Sequence, residues 1–170
     1  MLLIKLFLSL IIIIQGSIAN MDNKNIYEYF TEAEAMIVYD DGQIQEYTKE
    51  DSEYALILQA LNEISKDAHE MPAYGISLDN ETRNALQTNR WLELKFSKTI
   101  FHNEMPFDRL LIQIDSEYSG FNLIRHHDNI YEGRCFYLNI NNNMYELDKL
   151  LTDLIWIFTY NNFNINKTEG

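Results

Sequence analysis

Between Trp91 and Ile140 apolar side chains recur at every second position, a period that buries one face of a strand and no single face of a helix. Leu92, Leu94 and Phe96 alternate with Trp91, Glu93 and Lys95. Leu110, Ile112 and Ile114 alternate with Leu111, Gln113 and Asp115. Two more strands follow, Phe121 to His126 and Arg134 to Ile140, the second with Phe136, Leu138 and Ile140 turned inward. Four consecutive strands joined by short turns make an antiparallel meander.

The rest of the chain supplies what covers such a sheet. Ala35 to Tyr39 and Gln43 to Tyr47 flank Asp40-Asp41-Gly42, and an Asp-Gly pair provides the positive φ that a tight hairpin needs. Thr48 ahead of Lys49-Glu50-Asp51 puts a capping hydroxyl before acidic first-turn residues. The helix predicted there, Lys49 to Ala68, carries Tyr54, Ile57, Leu58, Leu61 and Ile64 at helical spacing. Met71-Pro72 closes that region, because proline restricts its predecessor and lacks the N–H. Asp79 is placed to cap a shorter helix from Asn80 to Thr88. Asn143 with Glu146 three residues on opens a last helix with Leu147, Leu150, Leu151, Leu154 and Phe158 along one stripe, and a frayed tail is expected after Tyr160. The expected fold class is α+β, with helices packed on one face of an antiparallel sheet in the order ββααββββα.

Residues 1–19 read differently. Lys5 is the one charge, Leu6 to Ile14 is apolar apart from Ser9, and Ser17-Ile18-Ala19 offers small residues for cleavage. This pattern predicts a secretory signal removed after Ala19, leaving residues 20–170 as one α+β domain in the periplasm or outside the cell. Gln15-Gly16 interrupt the apolar run short of the roughly 20 residues a spanning helix needs, so no stable membrane insertion is expected after cleavage. Loss of the leader removes one cation and no acid, taking the net charge from −13 to −14. No run of lysine or arginine is present to follow a phosphate backbone, which excludes nucleic acid as the expected partner. An acidic exported chain is steered instead toward basic surfaces, and the implied partner is a protein.

The stretch RHHDNIYEGRCFYL, Arg125 to Leu138, concentrates two histidines, an aspartate, two arginines and the one cysteine. Its cheapest reading is a hairpin whose tip holds Asp128-Asn129 and Gly133. In a regular strand His126 and His127 point to opposite faces and cannot ligate one metal together, and no HxxxH or CxxC spacing occurs. No metal or other cofactor is expected. Cys135 admits a sharper alternative. If Phe136 pairs with Ile124, the cysteine shares a face with Arg125 and His127. If Phe136 pairs with Leu123, it shares a face with Asn122 and His126. A thiol-dependent hydrolase or transferase would use Cys135 with one of those histidines, given a depressed thiol pKa.

The leading expectation is a small acidic binding protein, of an inhibitor or immunity type, that masks a basic protein partner. The surface assigned to that task is the sheet face opposite the helices, held open: Trp91, Glu93, Lys95, Leu111, Gln113 and Tyr137, joined by Arg125 in one hairpin register. Tryptophan and tyrosine among charges give contact area at low entropic cost.

Overall fold

The computed structural model describes residues 24–72, 75–140 and 144–168. The leader and the capping position at Asn143 lie outside them. A 3-10 turn (Ile26–Glu32) precedes β1 (Ala35–Asp40), β2 (Gln43–Thr48), α1 (Ser52–Ser65), β3 (His69–Met71), β4 (Ile76–Ser77) and α2 (Asp79–Ala85). Then come β5 (Trp91–His102), β6 (Met105–Gln113), β7 (Gly120–His126), β8 (Gly133–Arg134), β9 (Phe136–Asn139) and α3 (Tyr145–Thr168). Seven strands form one antiparallel sheet in the order β2-β1-β5-β6-β7-β9-β3, and β4 and β8 pair as a separate ribbon. The fold is α+β, as the alternating pattern implies.

Tight turns set the register. Asp41 and Gly42 take φ of 47° and 80°, and Asn103 and Glu104 take 48° and 63°. Two consecutive residues at positive φ match the twist of the flanking strands, so each loop closes a hairpin without splaying it. The tip of the RHHDNIYEGRCFYL stretch is built alike. Asp128 and Asn129 sit at φ 51° and 66°, and His127 and Ile130 exchange backbone hydrogen bonds of 3.0 and 3.1 Å.

The helix-side face carries the alternating set. Leu92, Leu94, Leu110, Ile112, Leu123, Phe136 and Leu138 are buried against Ile57 and Leu61 of α1, Leu147 and Leu151 of α3, and Ile26 and Phe30 of the 3-10 turn. Phe107 is the hub of an aromatic cluster, edge-on to Tyr29, Phe96 and Phe136 with ring centroids 6.0, 5.4 and 5.9 Å away.

Several boundaries differ from the sequence reading. Asp51, three residues after Thr48, holds the cap position of α1: its carboxylate accepts from the Thr48 N–H and hydroxyl at 2.6 and 2.9 Å, which delays the helix to Ser52. Asp79 lies inside the first turn of α2, bonded to Arg83 Nε at 2.9 Å. The strand expected from Arg134 to Ile140 breaks at Cys135, because Gly133 at φ 103° turns β8 away to pair with β4. The backbone of α3 stays helical to Thr168. The 3-10 turn, β3 and β4 are too short to leave a periodic signal.

The largest difference concerns the other face. α2 and the segment from His127 to Cys135 lie across it, and Ile37, Tyr39, Leu86, Trp91, Leu111, Ile124, Tyr131 and Cys135 form a second buried cluster there. The face opposite α1 and α3 is therefore covered over Trp91 and Glu93, and the expectation of an open sheet face is corrected.

Candidate functional site

The covered face is organised around one carboxylate. Register aligns Ile37, Glu93, Leu111 and Ile124 across β1, β5, β6 and β7. Glu93, flanked by apolar neighbours, is 0% exposed. A buried carboxylate must be hydrogen-bonded to be tolerated. Tyr39 Oη donates to Glu93 Oε2 at 2.9 Å, Tyr131 Oη donates to Oε1, and Arg109 Nη1 approaches Oε2 at 3.4 Å. Burial, and then the charge of Glu93, push both tyrosine pKa values well above the ordinary range, so both hydroxyls remain donors.

Tyr131 links this carboxylate to α2. Its N–H donates to Asp79 Oδ1 at 2.8 Å, Arg83 stacks 5.2 Å over its ring, and Arg83 Nη2 donates to the Asn129 carbonyl at 2.7 Å. His126 packs edge-on against Tyr131 and is hydrogen-bonded to Asp108 at 2.5 Å. Each group has a structural partner, and Glu93 is sealed from solvent. The cluster fastens the cover to the sheet.

Trp91, 4% exposed, donates from Nε1 to the Ala85 carbonyl at 3.1 Å. As surface contacts Trp91 and Glu93 are thus corrected to interior positions. Lys95, Gln113 and Tyr137 do lie on this face and are half-buried. Lys95 is bound to Glu46 at 2.7 Å. Tyr137 lies over Gly120, where a Cβ would sit 2.3 Å from the tyrosine oxygen and 2.9 Å from the Leu138 carbonyl. Arg125 pairs with Leu110 and so belongs to the helix-side rows. Its guanidinium stacks over Phe136 and donates to the carbonyls of Arg134 and Pro106 at 2.7 and 2.8 Å. The placement of Arg125 beside Trp91 is corrected accordingly.

The hairpin takes the second of the two registers, Leu123 with Phe136. Cys135 lies beside Asn122 and Ile124 at 2% exposure. Burial pushes its thiol up, outweighing the opposite pull of Ser77 and Arg125. A protonated thiol is a poor nucleophile. Alkylation by a small reagent at neutral pH should be negligible in the folded protein and prompt in denaturant, and rapid labelling without denaturant would restore the thiol mechanism.

What the outer face presents to solvent is a cleft of about 260 Å³ between α2, the β4–β8 ribbon and the sheet. Trp91, Ile124 and Cys135 wall it, Asn122 and Glu81 bring polar groups, and Ile76 and Leu78 border it at 73% and 49% exposure. Trp91 is legible in the sequence, whereas Ile76 and Leu78 are not, because their Gly75-Ile-Ser-Leu context resembles a loop. A broader open groove of about 1050 Å³ runs between the 3-10 turn and α1. Its rim carries Glu28 and Glu63 against Lys49 and Lys66, a balance that favours no class of ligand.

On the helix side Glu70 of β3 accepts from His102 Nε2 at 2.6 Å, Asn103 Nδ2 at 3.1 Å and the Ile26 N–H at 2.9 Å. Burial alone would raise its pKa, yet these donors together hold it below the usual value. The arrangement ties the 3-10 turn to the sheet edge. Among the described residues, no three His, Cys, Asp or Glu side chains converge as a metal site. No helix among them is long and apolar enough to cross a membrane.

The architecture is thus a seven-stranded antiparallel sheet layered by helices, with a small cleft on its second face. Known proteins add little to that class. No family model matches the sequence, and no curated protein matches it. A solved structure described as the crystal structure of YycH from Bacillus subtilis is similar, at a TM-score of 0.44 and 19% identity, over 72% of this chain and 36% of that one.

Proposed function

We propose that this is an exported acidic binding protein that recognises a protein partner at the outer-face cleft. The carrying observation is the pair Ile76 and Leu78, standing largely in water at the mouth of a cleft walled by Trp91. Large apolar side chains grouped at a concave site mark a place where a partner's side chain is taken up. Trp91, almost wholly buried, backs the wall of the cleft with its indole held by Ala85, and Tyr137 and Asn122 extend the site along β9 and β7. An inhibitor or immunity role fits such a module, and the net charge of −13 favours a basic partner.

Panning a random peptide display library against the immobilised protein tests this reading. Recovered peptides should share an apolar anchor and lose affinity by about tenfold or more against Ile76→Ser/Leu78→Ser, a surface change that leaves the unfolding midpoint nearly unaltered. Equal binding to the double variant would remove the cleft from the account. Cleavage is checked separately: from a secreting host the recovered protein should begin at Asn20, and a product retaining the leader would contradict removal after Ala19.

A further inference from the structure

The β2 edge of the sheet lies apart from the cleft and stands at the end of the strand order. Among the described residues β2 has β1 as its one strand neighbour. Across the two-residue Asp41-Gly42 loop, Asp40 and Gln43 form the closing hydrogen-bonded pair, and such pairs alternate along an antiparallel ladder. Gln45 and Tyr47 therefore direct their backbone groups to β1, while Ile44, Glu46 and Thr48 direct theirs outward. Thr48 confirms this phase: its N–H donates to Asp51 Oδ2 at 2.6 Å and its carbonyl accepts from the Asp51 N–H at 3.0 Å. The Glu46 carbonyl accepts from Gln45 Nε2 at 3.1 Å. Among the described residues the Ile44 N–H and carbonyl and the Glu46 N–H are left without a partner and face out, beside an Ile44 side chain that is 60% exposed.

Edge strands are ordinarily blunted by lysine, proline or a bulge. Gln43–Thr48 contains neither residue, and its register with β1 is unbroken. Its one charge, Glu46, is neutralised by Lys95. The flanks are different. Asp41 lies at one end and Glu50, Asp51 and Glu53 at the other, while the single cation from Asp40 to Glu53, Lys49, is bound to Glu34. Unpaired backbone donors and acceptors specify an extended polypeptide as ligand, and acidic flanks specify a cationic one.

We propose that β2 accepts an extended basic segment of a protein partner as an added strand, pairing with Ile44 and Glu46 while its cations meet the acidic flanks. A second copy of this chain would bring the same carboxylates and a net charge of −13 against its own, which opposes self-pairing.

The probe is a capped synthetic peptide of alternating lysine and valine, followed by fluorescence anisotropy and by backbone amide exchange. Three comparisons accompany it: a glutamate–valine peptide, the lysine peptide methylated on alternate backbone nitrogens, and the protein variants Ile44→Pro and Ile44→Thr. Proline removes the outward N–H without touching the ladder to β1, and threonine keeps it. Binding of the lysine peptide should slow exchange at Ile44 and Glu46. Backbone methylation or Ile44→Pro should weaken it by about tenfold, Ile44→Thr should change it little, and the glutamate peptide should not bind. The proposal is overturned by absent binding, by binding indifferent to both methylation and Ile44→Pro, or by self-association through β2 in place of peptide binding. None of these outcomes bears on the cleft, whose probes and variants are separate.

Discussion

Replacing Glu93 with alanine is expected to lower the unfolding free energy by about 3–5 kcal/mol, the range for removing one partner from a buried charged network. The loss has three sources. Tyr39 and Tyr131 lose the buried carboxylate to which both donate, Arg109 loses its nearest carboxylate, and a hole opens between Ile37 and Leu111. Because Tyr131 also holds Asp79, loosening at Glu93 should propagate to α2. Urea unfolding gives the number, and amide exchange in Asp79–Ala85 should quicken more than in β6. A loss below about 1 kcal/mol would mean that the cover is not fastened through this carboxylate.

Phe107→Ala is expected to cost a similar amount, about 3–5 kcal/mol, for a different reason. Phe107 is fully buried, and three aromatic rings meet it edge-on. Truncation removes those contacts and leaves a void the rigid sheet cannot close, whereas no polar group is orphaned. Its effect should fall on the 3-10 turn, which packs on Phe107 through Tyr29, and leave α2 in place. Urea unfolding again measures it. A loss below about 1.5 kcal/mol, or faster exchange first in α2, would contradict the separation of the two buried clusters on opposite faces of the sheet.

Local chemistry made much of the fold legible. Period-two alternation from Leu92 to Ile140 assigns the helix-side face correctly, because side-chain direction in a strand follows from parity alone. Asp41-Gly42 and Asp128-Asn129 mark their turns because few other residues accept positive φ. Parity, however, says nothing of what lies over the opposite face. Trp91, Glu93 and Lys95 read as a half-polar surface, but the acceptor role of Glu93 is met by Tyr39 and Tyr131, 54 and 38 residues away. That pairing is tertiary and leaves no local trace. The sequence leaves the face of Arg125 open for the same reason, since two registers of one hairpin place it on opposite faces and only packing selects between them. Ile76 and Leu78 were invisible because a two-residue strand has no period.

The cleft itself is tested most directly by mapping backbone amide shifts of the isotope-labelled protein on titration with a peptide recovered from the display selection. Shifts are expected to concentrate at Gly75–Leu78, Asn122–Ile124 and Cys135, with the Trp91 indole N–H moving and α1 silent. Shifts centred on α1 and the 3-10 turn, with Ile76, Leu78 and Trp91 unmoved, would contradict it and transfer the binding role to the helix side.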